Sequence, residues 1–159
     1  MALTLEAGNK VWQKVKMALE DANPAAQTAF KGFKEWMAQQ RSNPDLQFVA
    51  FAGASIDDAG GAVLADAACK LYAWYGKKTA TATDAYLVLL DDATDDAGGA
   101  TDARVSAGFL VASEPQFGFY PFGLPMAAGL VGKTYTDYDG VTDSTAGDSP
   151  NGFVIIGAA

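Results

Sequence analysis

The sequence predicts a mainly β protein, a β-sandwich or jelly-roll-like domain over residues 46–159 preceded by an N-terminal helical hairpin or arm over residues 1–45. Three observations predict it. From Phe48 onward the chain runs as short apolar segments separated by turns rich in Asp, Gly and Thr, the spacing of a two-sheet fold. Within that region Val105, Ala107, Phe109 and Val111 alternate with Arg104, Ser106, Gly108 and Leu110, the period of two that marks a half-buried strand. Before it, apolar residues recur at helical intervals instead.

Val11, Trp12, Val15 and Leu19 share one side of a first helix. A second is predicted where Asn23 supplies an N-cap and Pro24 a first turn, with Phe30, Phe33 and Met37 spaced by three and four and Trp36 alongside. Gly8 and Gly32 each weaken helix propensity by roughly 1 kcal/mol relative to Ala, so packing has to hold these helices. Ser42-Asn43-Pro44-Asp45 ends the helical part, Phe48-Val49-Ala50-Phe51 opens the β region, and Asp57-Asp58-Ala59-Gly60-Gly61 closes its first segment. Residues 62–75 admit two readings: Val63, Leu64, Ala67, Ala68 and Leu71 fit a helix, whereas Leu71-Tyr72-Ala73-Trp74-Tyr75 fits a strand. A strand is expected over 67–76, with 62–66 left open as helix or strand, and Gly76-Lys77-Lys78 is expected to turn the chain.

Tyr86 to Leu90 is a continuous apolar run suited to a strand covered on both faces, and an acidic loop over 91–102 follows. Phe117, Phe119, Tyr120 and Phe122 form the densest aromatic cluster, and Pro115, Pro121 and Pro125 within it predict an edge strand or a bend. Residues 136–151 read as a polar loop, and Phe153-Val154-Ile155-Ile156 as a buried closing strand.

At 159 residues the chain is long enough for a core of its own, a domain of this size burying roughly 70% of its unfolded surface. Charge is unevenly spread. Residues 1–45 carry six Lys and Arg against five Asp and Glu, a net of +1, which leaves −9 for the β region out of the total of −8. An acidic sandwich repels phosphate backbones, which argues against nucleic-acid binding. Cys69 stands alone, so an intrachain disulfide and a cysteine-based zinc site are excluded, and a small buried apolar role is expected for it. The segment from Met1 to Glu6 lacks the pattern of a secretory signal, and no apolar stretch approaches the roughly 20 residues that span a bilayer, so synthesis in a cytoplasm is expected.

With no His in the chain, imidazole acid–base catalysis, a Ser-His-Asp triad and histidine metal ligation are excluded. Ala127-Ala128-Gly129-Leu130-Val131-Gly132-Lys133-Thr134 imitates a phosphate-binding loop, but a working loop opens a helix, and Tyr135-Thr136-Asp137-Tyr138-Asp139-Gly140 is strand and turn sequence. Lys133 is therefore expected on the surface of a strand. Asp91, Asp92, Asp95, Asp96 and Asp102, or Asp137, Asp139 and Asp143, could gather around Ca²⁺, yet neither loop has the EF-hand pattern with its closing Glu, and turn Asp is the simpler reading. Paired carboxylates for glycoside hydrolysis are disfavoured on the same ground. The aromatic residues remain: Trp12, Phe30, Phe33, Trp36, Phe117, Phe119, Tyr120 and Phe122 are the candidate protein-interface positions, weighed against ordinary core packing.

Two landmarks support a family comparison: Lys70-Leu71-Tyr72 leading to Ala85-Tyr86-Leu87-Val88-Leu89-Leu90-Asp91, and Tyr120-Pro121-Phe122-Gly123-Leu124 followed by Ala128-Gly129-Leu130. With the strand pattern around them, over about residues 66–159, they resemble a β-sandwich module of tailed-bacteriophage virion proteins. The resemblance implies a non-enzymatic virion structural protein, a capsid decoration or cement protein on the outside of the head, with a carbohydrate-binding head or tail fibre module as the alternative. It carries over no catalytic residue, metal or cofactor. The partners it implies are further copies of the chain, a trimer by analogy, and major capsid or other virion proteins, with no nucleic acid and no membrane. Its implied location is the virion, after synthesis in the host cytoplasm.

Overall fold

Side chains alternate between two apolar environments along most of the strands, and this alternation builds a layered structure. A computed structural model of the chain describes residues 24–40, 45–56, 61–78, 85–94, 103–110, 115–136 and 150–159; the side chains of 24–31, 53–54 and 103–110 lie outside that description. Helix α1 spans Pro24–Gln39. Strand β1, Gln47–Phe51, is followed by the single turn α2, Gly53–Ile56. Then come β2 (Ala62–Ala65), β3 (Cys69–Lys78), β4 (Ala85–Asp91) and β5 (Ala103–Leu110). Strands β6 (Pro115–Met126), β7 (Leu130–Tyr135) and β8 (Pro150–Ala158) complete the order.

Two four-stranded antiparallel sheets result, ordered β1-β8-β3-β6 and β2-β7-β4-β5. The mainly β, two-sheet architecture expected from the sequence is present. Leu71, Trp74, Val154 and Ile156 from the first sheet meet Leu87, Leu89 and Leu130 from the second in the central core. Val88, Leu90, Val131 and Tyr135, on the other face of the second sheet, are buried as well. This explains why β4 reads as an unbroken apolar run: both of its faces are covered.

The outer face of the first sheet carries α1. Phe33 and Met37 pack with Leu46, Ala73, Tyr75, Phe153 and Ile155, and Phe33 is fully buried. The spacing of four residues places Phe33 and Met37 on one side of the helix, toward the sheet. By sequence α1 belongs to the arm; by burial its second half belongs to the core. The first predicted helix, with Trp12, and the 42–44 break lie outside the described residues.

Several local expectations change. Gly76-Lys77-Lys78 does not turn: β3 continues through Lys78, with Gly76, Lys77 and Lys78 opposite Gly152, Asn151 and Pro150. A Gly followed by two Lys reads as a turn locally, but cross-strand pairing over ten residues overrides it. Residues 62–65, open between helix and strand in the sequence, are strand, and the strand expected over 67–76 begins only at Cys69, after a turn at 66–68. The polar loop ends earlier than expected, because Pro150 and Asn151 already belong to β8. Along β3 the register slips between Leu71 and Ala73, which pair with the consecutive residues Ile156 and Ile155. The extra residue, Tyr72, makes a bulge and leaves both Tyr72 and Ala73 in the cluster under α1.

Candidate functional site

Opposite that bulge, β6 is distorted further. Leu71 pairs with Leu124 and Ala73 with Phe119, so the four residues Tyr120, Pro121, Phe122 and Gly123 face Tyr72 alone. The excess backbone must leave the plane of the ladder. Gly123 permits this with a φ of 75°, a left-handed conformation that other residues adopt only at a cost. A Cβ there would also come within 3.0 Å of Tyr72 Cε1 and Lys70 Cβ. Pro121 restricts the other flank and contributes no N–H. Phe122, at the crest, is 93% exposed.

The candidate interface residues therefore separate into distinct environments. Phe33 is buried within its own chain, its ring centroid 5.9 Å from Trp36, 5.2 Å from Phe117 and 5.0 Å from Phe119. Trp36, Phe117 and Phe119 are half-buried in the same cluster. Tyr120 turns toward the central core, where its hydroxyl accepts from Trp74 Nε1 at 3.4 Å. Phe30 lies on α1 with its side chain outside the described residues, as Trp12 lies wholly outside them. Among the described candidates, Phe122 is the one whose ring faces water.

A second feature lies on the opposite side of the sandwich, where the edge strands β1 and β2 run beside each other. Between them two adjoining hollows of about 470 and 520 Å³ share Val63 and Leu64. Val49 and Phe51 line the seam from β1, and Val63 is 41% exposed. Asp66 lies at one end. The strand order that creates this seam has no local signature, and sequence reasoning missed it.

The remaining candidates resolve as structure. Residues 127–129 form a tight turn and Leu130–Tyr135 is a strand, so the phosphate-loop imitation lacks the helix that would receive a phosphate. Lys133 is on a strand, as its flanks require, but it is buried rather than on the surface; its Nζ sits 5.1 Å from the Tyr135 ring centroid. Cys69 is 5% exposed, and burial, with the nearby Asp91 charge second, raises its pKa. Among the described residues no group of three or more potential metal ligands gathers. Asp92 closes a local turn, accepting from the Thr94 amide at 3.0 Å and its hydroxyl at 3.1 Å. Asp95, Asp96, Asp102, Asp137, Asp139 and Asp143 lie outside the described residues.

Asp91 has a different task. Its carboxylate accepts from the amides of Ala127, Ala128 and Gly129 at 2.9, 2.8 and 3.4 Å, tying the β6–β7 turn to the end of β4. Partial desolvation raises its pKa, and the three amide bonds outweigh that, holding the carboxyl below its ordinary value. Asp91→Ala is expected to cost about 1–2 kcal/mol, a figure reduced for the solvent around this carboxylate. Because the folded pKa is depressed, the contribution is present above the unfolded pKa of about 3.9 and lost as pH falls through the folded value. Urea titrations of both proteins should converge on acidification; a gap independent of pH would contradict this account.

The chain has no match among protein-family models, curated proteins or solved structures.

Proposed function

We propose that this chain is a non-enzymatic structural protein of a tailed-phage virion, decorating the outside of the head through many repeated protein–protein contacts. The observation that carries the reading is Phe122, a phenyl ring 93% exposed at the crest of a bulge that Gly123 and Tyr72 lock in place. Folding gains nothing from a ring left in water, whereas a partner that buries it gains a large apolar contact at little cost in ordering. The resemblance to virion sandwich modules supplies the setting. Many copies bound across subunit boundaries would stabilise a shell by linkage, since each binds the assembled form in preference to its separated parts. The fibre alternative would need an aromatic platform for a sugar; Phe117 and Phe119 instead pack with α1, and Tyr120 faces Trp74.

Immunogold electron microscopy tests the proposal. Antibody against the chain should decorate the heads of phage particles from the source of the sequence. Gold confined to tails, or absent from purified particles, would overturn it.

A further inference from the structure

We infer that copies of this chain associate head to tail, the Phe122 bulge of one copy seating in the seam between β1 and β2 of the next. The two features lie on opposite edges of the same molecule. Strand β6 ends one side of the first sheet, and β1, with β2 beside it, ends the other. One edge presents an apolar knob, and the other an apolar recess lined by Val49, Phe51, Val63 and Leu64 with room for a phenyl ring.

Charge favours the same pairing. Lys70 stands beside the bulge, its Cβ close to Gly123, and Asp66 stands at the end of the seam, so the contact brings opposite charges together and fixes the orientation. Pro115, Pro121 and Pro125 withhold ladder donors from β6, so the contact is a side chain in a recess and not a continued sheet. Other partners fit the knob less well. Pro121, Gly123, Leu124 and Pro125 offer no side-chain hydrogen bond to a sugar. A contact between two different patches leaves one copy of a pair with an unfilled seam and the other with an unfilled knob, and so propagates into a ring or an open chain.

The inference shares the Phe122 site with the virion reading, and its test is independent of any particle. Sedimentation equilibrium of the purified wild type, from micromolar to millimolar concentration, should show association beyond the 16.5 kDa monomer. Phe122→Ser and Val63→Lys should each be folded by circular dichroism and monomeric. Their equimolar mixture should form a dimer that grows no further, because one retains the seam and the other the knob. If Val63→Lys unfolds, Val63→Gln takes its place in the same measurements. A monomeric wild type, undiminished association of Phe122→Ser, or variants that fail to complement would each overturn the inference. Self-association by a protein that labels no phage head would leave it standing and remove the virion reading; labelled heads with a monomeric protein would do the reverse.

Discussion

Replacing Phe33 with Ala is expected to lower the unfolding free energy by about 3–5 kcal/mol, the range for a fully buried Phe in a site that cannot collapse. Phe33 is 0% exposed, and three aromatic rings surround it from two elements: Trp36 on α1, and Phe117 and Phe119 on β6. Helix and sheet cannot close over the vacancy without moving the whole of α1. The loss is a substantial share of the roughly 5–15 kcal/mol that holds an ordinary domain together. Urea denaturation followed by tryptophan fluorescence measures it, and Trp36 reports on this layer directly. A cost below about 1 kcal/mol would show that α1 adheres weakly to the sheet.

Gly152→Ala should be comparably damaging for the opposite reason, an atom too many. Gly152 faces Gly76 across the β3–β8 ladder, and a Cβ at that position would overlap the carbonyl of Tyr75 and approach Phe51 Cζ to 2.6 Å. The first obstacle is backbone, which has no rotamer to escape into. Strand β8 would have to separate from β3 locally, carrying Phe153 and Val154 out of the outer and central clusters. A loss of about 3 kcal/mol or more is expected, at the upper end for an overpacked core site. Thermal unfolding of the variant checks this, and an unchanged midpoint would mean that the two strands are less closely opposed than the structure has them.

How much of this was legible in the sequence depended on how local the cause was. Leu87 to Leu90 and Phe153 to Ile156 declare themselves as strands because both faces of β4 and β8 are covered, which calls for unbroken apolar runs. Residues 62–65, Ala-Val-Leu-Ala, suit either structure, and only pairing with β7 decides them. The turn α2 is too short to show a period. At the candidate site, the prolines and the aromatic cluster announced an edge strand or a bend, and β6 is an edge strand with a bulge in it. That Phe122 would be exposed while Phe117 and Phe119 lie under a helix was not readable, because the crest of the bulge is set by the register with β3, about fifty residues earlier. The seam required knowing that β1 and β2 end two different sheets on the same side.

The order β1-β8-β3-β6 also governs how the molecule is made. Among the described residues, the ladder of β1 is with β8, about a hundred positions further along the chain. A pairing of such long range is slow to form, since the intervening chain must be brought together before any contact rewards it. Until residues 150–158 arrive, Phe48-Val49-Ala50-Phe51 has neither a charge nor a proline to discourage pairing with the wrong chain. Refolding from denaturant should therefore lose material to aggregates in proportion to protein concentration, and a Lys in place of Ala50, exposed in the finished fold, should raise the yield.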